Sequence, residues 1–337
     1  MYPLKILSEH QNRQLEAMLQ RVRNVARLRH MAWSTEKCYC TWIAKYAEFI
    51  AVRRMQGEAR DKVEAFLTWM ALEGYSAVSQ NQAFCALLFF YRDCQGIELK
   101  NVDALRARRP KRQPFSPTFD EVQRLLADVQ DSGGYPLRLM IRLIYGSGLR
   151  LGDACQLRVK DVCLSDPTAP HLTLRQGKGA KDRTVPLPKS ILSQLQIQLA
   201  AAAAVADRDR LAKMPIQLPG RLGIKYPRLE FSKDWAFVFP GRNPCADPRT
   251  GRKVRWHCLE ENVQRAVRAS VRRLGLNDMI HTHSLRHAFA THALDRGANI
   301  RDLQVILGHN SLETTQVYVH PEVGRVKSPL DEMSIAM

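Results

Sequence analysis

The 337-residue sequence predicts a mainly α fold with a small antiparallel sheet, split into an N-terminal helical domain and a larger α+β domain. Three observations predict it. Apolar residues recur at three- and four-residue spacing along most of the chain, one alternating stretch turns back on itself near Gly177, and a run of arginines and prolines from Leu105 to Pro117 separates two patterned regions. Prolines among those arginines forbid a continuing helix, so residues 105–117 read as a basic linker between domains 1–104 and 118–337.

In the first domain, the segment from Leu15 to Leu28 predicts one helix. Tyr39, Trp42, Ile43, Tyr46, Phe49 and Ile50 predict a second, with Ser34 or Thr35 as its N-cap. Val63, Phe66, Leu67 and Met70 repeat the signal and Ser79 to Asp93 adds another helix, giving a four- or five-helix bundle whose aromatic residues fall at core spacing.

In the second domain, Phe119 to Val129 reads as a helix capped near Thr118, and Pro136 to Tyr145 as another that ends in Gly146-Ser147-Gly148. His171 to Arg175 alternates, Gly177 to Lys181 turns, and Arg183 to Leu187 returns: a β-hairpin with a basic tip, its edge marked by Pro186. Gln194 to Arg210 is an Ala-rich helix, and Pro215 to His257 is irregular and too long for a routine connection. Helices follow at Leu259 to Leu274 and Ser284 to Arg296, with Gly275 and Gly297 just past their ends. Asn299 caps a helix that Gly308 stops after Leu307, and Leu312 to His320 forms the last.

Composition narrows the partners. Fifty-one Lys and Arg against 33 Asp and Glu leave +18, which points to a polyanion, while 45% hydrophobic residues exclude a disordered chain. No apolar run reaches the roughly 18 residues of a membrane span, and the opening MYPLKILSEHQNRQLE turns polar too early for a secretory signal. The 8 cysteines form no Cys-x-x-Cys pair and are expected as reduced, buried thiols of a cytosolic protein; the spacing of Cys38 and Cys40 does not suit zinc.

Four segments carry chemistry. In His283-Ser-Leu-Arg286-His287 an imidazole and a guanidinium share one helix face and can meet one small anion. A metal at His281, His283, His287 and His292 is disfavoured, because Arg286 would sit beside the cation and acidic ligands are scarce. Gly146-Ser147-Gly148-Leu149-Arg150 lets backbone approach a ligand, with Asp153 one turn on to orient the arginine. The hairpin tip carries Lys178, and His309 is followed nine residues later by Tyr318. Singly, Arg150 reads as a surface arginine, the tip as a solvated turn and Tyr318 as a core residue.

Together, the order Arg150, Lys178, His283-x-x-Arg286, His309, Tyr318 resembles the tyrosine recombinase family, and the resemblance covers nearly the whole chain. It implies a helical, SAM-like core-binding domain and an α+β catalytic domain that close as a C-shaped clamp around DNA. It also implies a homotetramer on two DNA sites. It makes Arg150 and Arg286 the phosphate clamp, Lys178 and His283 the proton-transfer groups, His309 a phosphate donor and Tyr318 the nucleophile of a 3′-phosphotyrosine intermediate, with no cofactor and no metal. The chemistry is coherent: two guanidiniums neutralise a diester that would repel a nucleophile, and a mobile lysine can protonate the departing 5′-oxygen.

Within the family, Leu218 to Pro240 and Asp247 to His257 resemble the insertion of integron integrases, about residues 215–257. That implies a grip on unpaired bases of a folded single-stranded cassette site, with Trp235, Phe239, Pro240, Trp256 and His257 as candidates; the alternative for Trp235, Val238 and Phe239 is a core strand. Two positions depart from the pattern: Asp153 replaces a glutamate, and Trp256 replaces the first of two histidines. The expected function is cassette integration and excision between that site and a duplex platform site, in the bacterial cytoplasm at the nucleoid, without a membrane. The alternatives are another tyrosine-chemistry enzyme, such as a chromosome-dimer resolvase, phage-type integrase or type IB topoisomerase, or a noncatalytic DNA-binding regulator.

Overall fold

The computed structural model describes residues 8–99, 115–166, 169–175, 182–308 and 315, and the chain divides into two compact units, Met1–Arg112 and Gln113–Met337. That division falls within the basic linker, most of which lies outside the described residues, as do Lys178 and the hairpin tip, His309, and all but Thr315 of the expected helix from Leu312 to His320.

The first unit packs α1 (Glu9–Leu28), α2 (Trp33–Arg53), α3 (Ala59–Leu72) and α4 (Ala77–Phe89), which runs on into a π-helical turn, Phe90–Gln95, closed by Gly96. Ser8 and Gln11 cap α1 reciprocally. The expected cap of α2 at Ser34 or Thr35 is not formed: the helix starts at Trp33 behind Ala32, without a side-chain cap. Glu36 in the first turn takes that role by charge, buried near the positive end of the helix and bridged to Arg27 at 3.1 Å. The aromatic residues make the core. Phe66 lies 5.3 Å from both Tyr46 and Phe49, and the Tyr46 and Tyr91 hydroxyls share a buried hydrogen bond of 2.7 Å.

In the second unit, α5 (Phe119–Asp128) begins at Thr118, whose hydroxyl and the Glu121 carboxylate form a capping box. The helix α6 (Leu137–Gly146) buries Leu137, Met140, Ile141 and Ile144 at helical spacing and packs against α5, the later α10 (Glu260–Leu274) and α11 (Thr282–Asp295). A short α7 (Leu151–Cys155) leads to a three-stranded antiparallel sheet, β1 (Val162–Cys163), β2 (His171–Leu174) and β3 (Arg183–Pro186), in the order β1-β2-β3. Pro186 pairs with His171 on the edge strand, where a missing N–H costs least.

The Ala-rich α8 (Leu192–Leu211) precedes the long segment that the sequence left irregular. It contains α9 (Leu222–Lys225), short 3-10 turns and a ribbon of β4 (Cys245–Ala246) with β5 (Lys253–Val254). After α10 and α11, α12 (Ile300–Leu307) starts on the Asn299 cap and ends at Gly308 with φ +61°. Among the described residues no helix is long and apolar enough to cross a membrane. The cysteines are unpaired, but the expectation of burial holds only for Cys94, Cys155 and Cys258: Cys38, Cys40 and Cys163 are partly exposed, and Cys85 on α4 and Cys245 on β4 are exposed.

Candidate active site

The end of α12 organises the site. Its last carbonyls have no intrahelical partner and carry the negative end of the helix dipole, so they attract cations. Three arginines from three elements answer. Arg183 Nε donates to the Ile306 carbonyl at 3.1 Å, Arg286 Nη2 to the Leu307 carbonyl, and Arg150 Nη2 to the Gly308 carbonyl at 3.1 Å.

Arg286 sits on the second turn of α11, only 2% exposed, and its Nη1 donates to the Gly148 carbonyl at 2.6 Å. His281 starts that helix: its Nδ1 accepts from the Ser284 amide at 3.0 Å, and the Ser284 hydroxyl accepts from the His281 amide at 2.9 Å. Gly148 was expected to admit a ligand; its role is to admit α11. A Cβ there would stand 2.5 Å from Phe289, and its φ of +61° disfavours a side chain as well.

Arg150 is the N-cap residue of α7. Asp153, expected to orient it, reaches Arg150 only at 3.9 Å and bonds closely to Arg183 Nη2 instead. The shorter carboxylate explains this, because an aspartate stops one methylene short of a glutamate's reach. Arg183 escaped the sequence reading, which counted it as part of a solvated tip. Its signal was the period of the strand, since Arg183 shares the inward face with Val185 while Thr184 points out.

His283 opens to solvent on the first turn of α11, with its ring 4.5 Å from that of His287 in an edge-on contact. Its pKa is lowered from 6.5, first by desolvation and then by the positive charges of Arg286, His281 and Arg150. Of the four histidines weighed as metal ligands, His281 caps α11 and stacks on His283 at 6.4 Å, His283 meets His287 edge-on, and His292 stands apart with Tyr145. Described residues therefore bring Arg150, His283 and Arg286 together, while Lys178, His309 and Tyr318 lie outside them.

The candidate residues of segment 215–257 lie on a second structured region. Pro240 bridges His257 in antiparallel fashion, and the Gly241 amide donates to the Trp256 carbonyl at 2.6 Å, an approach so close that a Cβ on Gly241 would meet that oxygen at 3.0 Å. Arg255 anchors the turn through a buried bidentate pair with Asp209 on α8, both bonds 2.6 Å, and donates to the Gly241 and Arg242 carbonyls. Trp235 is partly exposed, with Lys160 Nζ 3.0 Å from its ring centroid. His257 is half-buried: Nδ1 donates to the Cys258 carbonyl at 2.7 Å, the ring lies 5.5 Å from Trp256, and burial lowers its pKa.

Phe239 is a correction. It is fully buried in the main core, with no ring face open to a base, because the run from Ala236 to Phe239 is buried throughout and Phe239 joins Val238 and Cys258 in that core. Arg158, unremarked in the sequence, holds the segment from beneath. It donates to the Trp235 and Gln217 carbonyls at 2.6 and 3.0 Å and lies 4.1 Å from the Phe237 ring centroid, and burial lowers its pKa to about 10.

Comparison with known proteins agrees with this architecture. The family model described as "Phage integrase family" matches residues 117–325, and the one described as "Phage integrase, N-terminal SAM-like domain" matches residues 18–101. An integrase/recombinase of Escherichia coli is 37% identical over 322 residues, 94% of each chain. Tyrosine recombinase XerA of Pyrococcus furiosus is 29% identical over 305 residues, 90% of this chain and 88% of its own. In fold, the XerH site-specific recombinase bound to difH substrate aligns with a TM-score of 0.62 at 18% identity, over 98% of this chain and 90% of its own. With matches spanning both units, the chain belongs to the phage integrase family and is a tyrosine site-specific recombinase.

Proposed function

We propose that this recombinase integrates and excises gene cassettes, exchanging strands between a folded single-stranded cassette site and a duplex platform site. The observation that carries the proposal is the built insertion. Arg255 and Arg158 fix its backbone by buried hydrogen bonds, while Trp235, Pro240 and Trp256 keep partly exposed surfaces on it. A splayed base gains about 1 to 3 kcal/mol by stacking on such an aromatic face.

In this reading Tyr318 attacks the scissile phosphate and Arg150 and Arg286 hold its nonbridging oxygens. Lys178 protonates the leaving 5′-oxygen, neutral His283 moves a proton within the pocket, and His309 donates to the phosphate. The phosphotyrosine bond stores the energy for rejoining. DNA is the partner, in keeping with the +18 charge, and four copies act on two sites at the nucleoid. Affinity then falls with salt, at a log-log slope of roughly −0.9 per phosphate neutralised.

The similarity to XerA favours a second reading, resolution of duplex sites without a folded strand. One experiment separates them. The protein and its Tyr318→Phe variant are mixed with a labelled folded strand of a cassette site and with its duplex form, then run on a denaturing gel. A slow adduct on the folded strand that vanishes in the variant supports cassette capture. An adduct on duplex alone moves the assignment to a resolvase or phage-type integrase, and binding with no adduct on any site moves it to a regulator.

A further inference from the structure

His292 is assigned no part in the phosphate site, yet it is tied into the fold from three sides. It stands near the C-terminal end of α11, 8% exposed, with Nδ1 3.0 Å from the Tyr145 hydroxyl on α6. The hydroxyl can donate or accept in that bond, according to which ring nitrogen carries the proton. The backbone of Pro117 lies near enough to favour the charged form of the ring, against its desolvation. The ring packs edge-on against Phe119 at 5.8 Å and Tyr145 at 6.0 Å. Arg296 closes the group, donating to the His292 carbonyl at 3.2 Å and lying 4.6 Å over Phe119.

Arg286, Phe289 and His292 recur every third residue and so share one face of α11. All three contact the short segment Tyr145–Gly148. Arg286 donates to the Gly148 carbonyl, Phe289 fills the space where a Gly148 Cβ would stand, and His292 takes the Tyr145 hydroxyl. That segment leads directly into Arg150. Contacts spread over about 9 Å of helix resist rotation and sliding better than a single one.

We propose that His292 is a positioning residue for strand cleavage: through Tyr145 it sets the rotation and height of α11, so that Arg286 and His283 stand in register with Arg150. It acts only through those residues and touches no substrate. Its leverage is the usual one, since a shift of about 1 Å at reacting groups can cost about a hundredfold in rate.

The inference rests on the recombinase chemistry and not on the cassette reading. It is tested on any nicked duplex oligonucleotide that the wild type converts to a covalent adduct, so failure on folded strands leaves the test intact. Single-turnover cleavage at saturating protein and DNA affinity by gel shift are measured separately. His292→Gln keeps a donor and an acceptor, His292→Leu removes both, and Tyr145→Phe removes the hydroxyl alone. The expected result is a cleavage rate about tenfold lower for His292→Leu and for Tyr145→Phe, with affinity within about twofold, and a double variant no slower than the worse single. His292→Gln is expected to recover most of the rate. Wild-type cleavage by Tyr145→Phe, a glutamine variant no better than leucine, additive losses in the double variant, or parallel loss of rate and affinity overturns the proposal. Should His292→Leu fail to fold, Tyr145→Phe decides.

Discussion

Arg150 and Arg286 donate to consecutive main-chain carbonyls, those of Gly308 and Leu307, so the two guanidiniums are aligned by one short piece of backbone. Arg286 also spans to the Gly148 carbonyl, which only a planar fork can do while still presenting N–H groups elsewhere. Arg286→Lys keeps the charge and loses the span. Adduct formation is expected to drop by about 10²- to 10³-fold, the cost of removing one oriented donor from a transition state, with DNA affinity changed only a few-fold. Equal loss of both in a single-turnover assay would mean that Arg286 acts by binding alone.

The segment 215–257 depends on a charge pair. Asp209 and Arg255 are each 6% exposed in their side chains and bonded through two contacts. Asp209→Asn leaves a buried guanidinium without a counter-charge, for an expected loss of about 3 kcal/mol or more in urea unfolding. Adding Arg255→Met should recover part of this and not all, because the Gly241 and Arg242 carbonyls then lose their donor. A neutral Asp209→Asn would show that water replaces the pair.

Stability should fall on mild acidification. His257, His283 and His292 all have folded-state pKa values below 6.5, with desolvation the first cause in each. The unfolded chain takes up protons near 6.5 and the folded chain only lower, so stability is complete above about pH 7 and declines as pH falls through that window. Each fully desolvated histidine contributes at most about 1.4 kcal/mol per pH unit, less for the solvent-facing His283. Urea midpoints at about pH 7.5 and 5.5 measure the slope, and His257→Gln should flatten it. An unchanged midpoint would count against the three shifts together.

Trp256 offers the test of base contact. Its ring lies against His257 at the partly exposed edge formed with Pro240, whereas Phe239 is sealed in the core. Trp256→Ala is expected to weaken binding of the folded strand by about 1 to 3 kcal/mol and to spare duplex binding, in parallel gel-shift titrations. Equal loss on both substrates would make Trp256 a structural residue.

Much of this architecture is legible in the chain. Helical spacing located α2, α5, α6, α10 and α12 within a few residues, and the ordered residue types singled out Arg150, His283 and Arg286 before any geometry. What failed depended on distances that spacing does not contain. Asp153 stands one helical turn from Arg150, yet its carboxylate is taken by Arg183 from strand β3. Gly148 looked like a ligand-facing glycine because Phe289, the residue that needs its space, is far along the chain. Phe239 was one of two readings for an aromatic in an irregular stretch, and only the closure of the core around it chose between them. Ser34 and Thr35 were plausible caps, but the helix starts behind Ala32, two residues before Ser34, with the buried Glu36–Arg27 pair in its first turn.

The acceptors that align Arg183, Arg286 and Arg150 are the carbonyls of Ile306, Leu307 and Gly308. Main-chain oxygens are present whatever side chain a codon specifies, so conservative replacement of Ile306 or Leu307 leaves the arginine anchors in place. They also carry no full charge, unlike the Asp153 carboxylate that meets Arg183 and Arg150. The cluster is thus insulated from drift at its own scaffold.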